Sequence, residues 1–357
     1  MARESNRPTN GGYLDFEQKV ADFERQMDEL RTLGAKTGID YSVEIRRLEK
    51  DRIVELKRIY SNLTAWQTVQ VARHPQRPIL RDYLNLMVKD FRELHGDRLF
   101  GDDRAIITGI GQIARNKVLI VGQDKGKTTK EKIVCNFGCP NPEGYRKALA
   151  KMRFAEKYGL PIVTLIDTPG AYPGVGAEER GQAQAIAVNL SEMSRLQVPI
   201  ISICIGEGGS GGALGIAVGD RLAMLEFSYY SVISPEGCAA ILWRDGARAP
   251  EAAEALKLTS RDLYRLGLVD AIIPEPVGGA HRNVHDTVYN VETYVAKTLA
   301  QLQRVPINEL LESRYQKWRS LGSKATLDSP RLVEHGSRIA TTGRSATAQR
   351  DASTAQV

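Results

Sequence analysis

The sequence predicts an α/β domain with largely parallel strands, which follows a helical region and precedes a polar tail. Apolar stripes of helical period occupy the first sixty residues, β-rich apolar runs recur from about residue 105, and helical patterns separate the later runs. Strands that alternate with helices at this spacing are typical of parallel sheets. The chain has 357 residues, 42% hydrophobic and 26% charged, which is the composition of a globular protein with a substantial core.

Two apolar stripes near the N-terminus predict a helical hairpin. The first, at 13–34, repeats at alternating spacings of three and four, and the second, at 43–63, has the same period. Between them we expect Asp40 or Ser42 to be the N-cap of the second helix. Stripes of this kind need a partner surface, so the hairpin either packs on its own main domain or reaches a neighbouring subunit as an assembly arm.

The main domain contains five predicted strands and three predicted helices. The strands are AIITGIGQI at 105–113, KVLIVGQ at 117–123, PIVTLID at 161–167, PIISICIG at 199–206 and RLAMLEF at 221–227. The helices are expected at 142–159, 177–196 and 236–244. After Gly322 the chain is rich in Ser, Thr, Ala and Arg without apolar periodicity, which indicates disorder. The sequence thus divides into a helical region at 1–75, a main domain at 76–321 and a tail at 322–357.

Composition and charge weigh against several classes of protein. The formal charge of +6 is spread along the chain, so nucleic-acid binding is not expected, although a mild positive field favours a small anionic ligand. No run of eighteen apolar residues and no signal-like start occur, so we expect a cytoplasmic protein without membrane partners. Four irregularly spaced cysteines predict free thiols and no metal site: Cys135, Cys139, Cys204 and Cys238.

Three motifs match familiar patterns only by their letters. GIGQIA at 109–114 fits a dinucleotide fingerprint but lies inside a predicted strand, and GQDKGKTTKEK at 122–132 is one residue short of a P-loop. His281 and His285 have the spacing of a zinc pair, but Arg282 stands where a zincin carries Glu. The lysines of the second motif predict a solvated face or the border of a phosphate pocket: Lys125, Lys127, Lys130 and Lys132.

Two glycine-rich turns follow consecutive predicted strands. The first is TPGAYPGVGAEERG at 168–181 and the second is EGGSGGALG at 207–215. Ligand sites of α/β folds lie at the carboxyl ends of strands, and glycine lets consecutive backbone N–H groups converge on one oxygen. Such a site suits a developing oxyanion. The alternative is that these glycines make tight turns and nothing more.

The second turn also reads as a nucleophile elbow, because residues 208–212 have the pattern Gly-x-Ser-x-Gly. A hydrolase would then use Ser210 with Asp270 and with His281 or His285, in the chain order that this motif requires. The glycines on both sides of Ser210, the small number of upstream strands and the lack of an HGGG-type loop argue against this interpretation.

The chain resembles the carboxyltransferase α subunits of bacterial and plastid multi-subunit acetyl-CoA carboxylases. The resemblance extends from about Leu14 to Leu321, and it is carried by ARHPQRP, GDR, TKEKI, NFG, PEGYRKAL, IDTPGAYPGVGAEERGQ, EMSRL, GEGGSGGAL, YSVISPEGCA and IIPEPVGGAHRN. It implies a crotonase-like (ClpP-related) fold, in which ββα units form a spiral, with the N-terminal helical hairpin as an added element.

The resemblance also implies an activity and a set of partners. In this family, carboxybiotin on the biotin carboxyl carrier protein gives its carboxyl group to acetyl-CoA, and malonyl-CoA for fatty acid biosynthesis results. The expected partners are the β subunit, in an α₂β₂ heterotetramer, the carrier protein and biotin carboxylase, in a complex that binds ATP. Biotin belongs to the carrier, while zinc and most coenzyme A contacts belong to the β subunit. The alternative is a stand-alone crotonase-type acyl-CoA hydratase or isomerase, with Glu207, Glu178 and Glu179 as candidate acids or bases.

The site residues follow from the matched motifs. Gly211 and Gly212 would form a backbone oxyanion hole for biotin, and Ser210 would shape the turn without attacking the substrate. The carboxybiotin pocket would comprise Gly208, Gly209, Ser210, Pro169, Gly170, Ala171 and Tyr172.

Overall fold

The computed structural model describes residues 12–322, which form one eight-stranded sheet with helices on both faces. The strands are β1 (Val88–Glu93), β2 (Ile106–Ile113), β3 (Asn116–Gln123), β4 (Ile162–Thr168), β5 (Ile200–Gly209), β6 (Arg221–Leu225), β7 (Tyr229–Ser231) and β8 (Ala271–Ile273). The helices are α1 (Gln18–Thr37), α2 (Ser42–Tyr60), α3 (Ala65–Ala72), α4 (Leu80–Met87), α5 (Thr129–Val134), α6 (Pro142–Lys157), α7 (Val175–Glu179), α8 (Gln182–Met193), α9 (Ser210–Leu214), α10 (Pro235–Trp243), α11 (Ala249–Leu256), α12 (Ser260–Arg265), α13 (Val284–Leu302) and α14 (Ile307–Ser320).

The sheet has the order β1-β2-β3-β4-β5-β6-β8, and β7 pairs with the end of β5. The first three strands are antiparallel, whereas β3, β4, β5, β6 and β8 run parallel. Every residue of β4 and β5 is buried, because α6 and α8 cover one face of the sheet and α4 and α13 cover the other. Burial on both faces explains the nearly continuous Ile and Val runs of these strands.

All five predicted strands and the three helical segments are present, with two differences. The predicted helix at 177–196 is divided into α7 and α8 by Gly181, whose φ of +81° no helix can contain. The first part of the sheet is antiparallel, since the short link between β2 and β3 permits a hairpin and no crossover. All but the last residue of the GIGQIA motif lies in β2, and β3, not a helix, follows it, so the motif lacks the structural context of a dinucleotide site.

The predicted helical hairpin is formed by α1 and α2. Tyr41, and neither Asp40 nor Ser42, occupies the N-cap position of α2, but the Asp40 carboxylate accepts the Ser42 N–H at 2.9 Å and thus satisfies one exposed donor. The base of the hairpin packs on the main domain, where the rings of Tyr60 and Phe227 lie 5.3 Å apart. Near its tip it exposes apolar side chains, among them Leu33, Ile39 and Val43.

The last described helix, α14, is fastened to the sheet by Arg314, which is buried. Its guanidinium pairs with Asp220 through two bonds of 2.8 Å and donates to the carbonyl oxygens of Met193, Leu196 and Val198. All five N–H donors of the side chain are therefore used. The tail predicted to be disordered lies outside the described residues, apart from Gly322 itself. Within residues 12–322, no helix has both the length and the apolar character of a membrane span.

Candidate active site

The two glycine turns lie against each other at the carboxyl ends of β4 and β5. The two strands are parallel neighbours, with Thr168 opposite Gly208. A Cβ atom on Gly209 would overlap the carbonyl group of Pro169, and one on Gly212 would overlap the peptide that joins Gly170 to Ala171. The backbones of the two turns therefore pack directly against each other and form a shared backbone wall. Side chains at these glycines would force the two turns apart.

The second turn enters α9 through a strained residue. Ser210 has a φ of +51°, in the left-handed region that few non-glycine residues adopt outside turns and functional sites. Because α9 begins at Ser210, the N–H groups of Gly211 and Gly212 have no acceptor within the helix. The side chain of Ser210 is exposed.

The carbonyl groups of the same turn are fixed from behind. Gly212 O accepts hydrogen bonds from Gln123 Nε2 at 2.8 Å and from the Tyr145 hydroxyl at 3.0 Å, and both donor side chains are buried. Gly211 O accepts the N–H of Gly215 at 2.9 Å. Gly211 O belongs to the peptide that carries the Gly212 N–H, so that peptide has little freedom to rotate. The two bonds to Gly212 O fix the next peptide along the chain.

The first turn is held in the same manner. Tyr172 N–H donates to Pro140 O at 2.9 Å, and Gln182 Nε2 donates to Tyr172 O at 3.0 Å. At Gly170 a Cβ atom would meet no atom within 4 Å, and at Gly211 it would meet only Ile186 Cδ1, at 3.9 Å. Beside the shared wall, the structure therefore leaves open space next to both turns.

A cluster of buried charges lies directly beneath the turns. Lys125 Nζ is 2.6 Å from Asp167 Oδ1 and 2.5 Å from Glu207 Oε2, and Arg73 Nε is 2.6 Å from Glu207 Oε1. The solvated face predicted for the lysines of residues 122–132 is wrong for Lys125, because the carboxylates of β4 and β5 draw it inward. Lys127 is exposed and pairs with Asp82 at 2.5 Å.

The ionisation of Glu207 follows from this cluster. Burial by itself would raise its pKa, but the charges of Lys125 and Arg73 outweigh burial and lower the pKa to about 2. Glu207 is therefore a carboxylate at neutral pH, and both of its oxygens are paired with Lys125 or Arg73. It is poorly suited to act as the acid or base of a hydratase. The other two candidates for that role, Glu178 and Glu179, are exposed on α7.

The residues proposed for a hydrolase triad are not brought to Ser210. Asp270 accepts the Leu222 N–H at 2.6 Å and pairs with Lys317 at 2.5 Å. His281 stacks on His74 with ring centroids 3.9 Å apart, and His285 is exposed on α13. In the part of the chain that the structure describes, the four thiols are free, and no group of three or more His, Cys, Asp or Glu side chains could hold a metal ion.

The family model described as acetyl co-enzyme A carboxylase carboxyltransferase-like matches residues 13–322. The chain belongs to this family. The match includes both glycine turns, the charges beneath them and the helical hairpin.

Relatives within the carboxyltransferase family are similar over nearly their full length. A protein of Rhodopirellula baltica named acetyl-coenzyme A carboxylase carboxyl transferase subunit alpha is 55% identical over 313 residues, which are 87% of this chain and 98% of the relative. A protein of the same name from Saccharophagus degradans is 53% identical over 316 residues, 88% of this chain and 99% of the relative.

Solved structures confirm the crotonase-like fold class expected for the family. A Pseudomonas malonate decarboxylase hetero-tetramer in complex with coenzyme A gives a TM-score of 0.51 at 17% identity, over 66% of this chain and 93% of that one. The β subunit of Pseudomonas aeruginosa geranyl-CoA carboxylase gives 0.50 at 14% identity, over 69% of this chain and 46% of that one. Likeness at such identities concerns the fold alone.

Sequence reasoning missed the side chains that hold the second glycine turn in place. They are Gln123, Tyr145 and Asn189, of which the last donates to Gly215 O at 3.0 Å. A signal was available for the first, since Gln123 ends a predicted strand at the same edge of the sheet as the turns. Tyr145 and Asn189 belong to helices whose faces the sequence could not orient toward α9.

Proposed function

We propose that this chain is the α half of a biotin-dependent carboxyltransferase that moves a carboxyl group from carboxybiotin to acetyl-CoA and so forms malonyl-CoA. Membership of the carboxyltransferase family supports the reaction class. The observation that carries the site assignment is the backbone wall shared by the two glycine turns, in which Gly211 and Gly212 keep N–H groups without helical acceptors.

The residues present fit a planar ring with one polar oxygen. Open space beside Gly211 and Gly170 leaves room for such a ring, and the two N–H groups supply donors for its oxygen. Carboxybiotin, when bound, supplies the carboxyl group and acquires negative charge on its ureido oxygen as that group departs.

The chain's own contribution is then electrostatic. Gly211 and Gly212 would donate their N–H groups to the developing negative charge, and Gly212, held through the carbonyl groups on both of its sides, would need little reorganisation during the reaction. Tyr172, 39% exposed at the end of the facing turn, would close the side of the pocket, together with Pro169 and Ala171. Gly208 and Gly209 would allow the close approach of the turns, and Ser210 would set the direction of α9.

A second negative charge, on the thioester oxygen of acetyl-CoA, has no evident donors in these turns. We assign it to a β subunit in an α₂β₂ heterotetramer, with biotin delivered by a carrier protein and carboxylated by an ATP-dependent biotin carboxylase. The names of the relatives, which designate an alpha subunit, support a partner of this kind. A cytoplasmic location belongs to the same proposal.

The test is carboxyl transfer by the reconstituted α/β pair. Gly212→Val should lower the rate of malonyl-CoA formation at least about 100-fold, because the new side chain pushes the turns apart and misplaces a donor worth on the order of 3 kcal/mol. Gly246→Val is the matched control, since a Cβ atom there meets nothing within 4 Å. Size-exclusion chromatography should show assembly with the β subunit for both variants.

If Gly212→Val transferred the carboxyl group at the wild-type rate, the oxyanion-hole assignment would be wrong. The glycines would then only form tight turns in a scaffold subunit. The stand-alone hydratase is tested by incubating the chain alone with an enoyl-CoA. We expect no hydration, because Glu207 is tied to Lys125 and Arg73; turnover without any partner would overturn the proposed function.

A further inference from the structure

One buried amide side chain joins the carboxyl ends of three strands. Gln123, the last residue of β3, is fully buried. Its Nε2 donates to Gly212 O at 2.8 Å, and its Oε1 accepts the N–H of Asp167 at 3.1 Å. Gln123 therefore contacts β4 just before the first glycine turn, and it contacts α9 within the second glycine turn.

The need for this bridge comes from an interruption of the sheet. The ladder between β3 and β4 ends at Gly122 and Leu165, and the register of β4 with β5 shifts between Ile166 and Thr168. Because the regular pairing stops there, the side chain of Gln123 takes the acceptor role for Asp167 N–H. Buried donors without a partner are costly, so this amide is held in one orientation.

The hydroxyl of Tyr145 completes the arrangement. It donates to the same Gly212 oxygen, so both lone pairs of that carbonyl are used by buried side chains from β3 and α6. Loss of one donor would leave the oxygen with a single partner, whereas loss of both would leave a buried carbonyl without any.

We propose that Gln123 and Tyr145 are positioning residues of the oxyanion hole, which act by fixing Gly212 against the first glycine turn and never touch the substrate. The inference rests on the proposed function. Small displacements of a donor matter because stabilisation of a developing charge depends on donors placed within a few tenths of an ångström.

The experiment compares three single variants and one double variant, Gln123→Met with Tyr145→Phe, in the α/β pair, with malonyl-CoA formation as the assay. Gln123→Met keeps the length of the side chain and removes both bonds, and Tyr145→Phe removes one donor and keeps the ring. Thr108→Val is the matched control, because the Thr108 side chain is as buried as that of Gln123 and the change deletes its hydroxyl bond to Leu94 O, at 2.6 Å, away from the turns. Melting temperatures are measured for all of them.

We expect kcat to fall about tenfold or more in Gln123→Met and about threefold in Tyr145→Phe, with the KM for acetyl-CoA within about twofold of wild type. The double variant should lose more than the product of the two single effects. Thr108→Val should keep its kcat within about twofold of wild type, even if its melting temperature falls as much as that of the two site variants. If Gln123→Met does not fold, Tyr145→Phe decides the question against the same control.

Equal kcat values for the site variants and Thr108→Val, at similar losses of stability, would overturn the inference and leave the proposed function standing. A wild-type α/β pair without carboxyl transfer would overturn the proposed function, and the inference would fall with it.

Discussion

Ser210 is the residue where two chemical interpretations of the chain diverge. Its left-handed backbone and exposed side chain suit a residue that turns the chain into α9, and no acid or histidine contacts it among the described residues. The glycine turns and their place after β4 and β5 could be predicted from sequence, because glycine spacing is a local property. The role of Ser210 stays a prediction, which the family resemblance implies.

At this position we predict that Ser210→Ala keeps malonyl-CoA formation within about tenfold of wild type, since the backbone and not the hydroxyl is used. Removal of a serine nucleophile costs on the order of 10⁶ in kcat. Ser210→Gly should raise the free energy of unfolding by about 1 kcal/mol, because glycine adopts positive φ without strain. Steady-state kinetics and urea denaturation measure the two effects. A loss of activity beyond about 1,000-fold in Ser210→Ala would instead support Ser210 as a nucleophile.

The charge of Lys125 illustrates what local pattern cannot show. A lysine between glycines in a polar stretch reads as a solvated residue, yet it is drawn inward by Asp167 and Glu207, 42 and 82 positions later in the chain. Burial of a charge depends on partners from other elements, so only the assembled sheet reveals it.

Among the elements, α14 is attached to the rest of the domain through one buried side chain in particular, Arg314. Arg314→Met should lower the free energy of unfolding by about 3–5 kcal/mol, because it leaves the buried Asp220 without its ion-pair partner and three carbonyl groups without donors. Arg319→Met, an exposed change on the same helix, should stay within about 0.5 kcal/mol of wild type. Thermal and urea denaturation of both variants would show equal stabilities if the attachment contributed nothing.

Some features of the helices and strands can be predicted from local sequence, whereas others depend on the folded structure. Apolar pattern located α1, α2 and the five predicted strands, β2 to β6, because those patterns are local. The strands β1, β7 and β8 were not predicted, and β7 and β8 have only three residues each. The break between α7 and α8 was missed, since a glycine inside a helical pattern indicates a break only when its φ is known. The antiparallel direction of β2 relative to β3 depends on the two-residue link between them, whose geometry the apolar pattern does not contain.

At the scale of the whole molecule, the stacked histidines predict a loss of stability in mild acid. Burial, with the charges of His74 and Arg282 added, lowers the pKa of His281 to about 2. An unfolded histidine has a pKa of about 6.5, so below that pH the unfolded chain binds a proton that the folded chain does not. The free energy of unfolding should therefore fall by about 1.4 kcal/mol for each pH unit below 6.5.

The comparison is with His281→Phe, which keeps a ring against His74. Between pH 7.5 and 5.5, wild type should lose about 1.4 kcal/mol more than the variant. Asp103, whose pKa burial raises to about 6, opposes the trend, but it is common to both proteins and cancels in the difference. Parallel pH profiles from urea denaturation would exclude His281 as the cause.

The attachment of Arg314 has a consequence for synthesis on the ribosome. Its partners lie 94 to 121 positions earlier in the chain, around the start of β5 and the start of β6. Until α14 has been synthesised, Asp220 lacks its ion-pair partner. The segment before β5, the strand that leads to Gly211 and Gly212, then also lacks its hydrogen bonds from Arg314. We expect the edge of the sheet that carries the two glycine turns to reach its final packing only after α14 has left the exit tunnel.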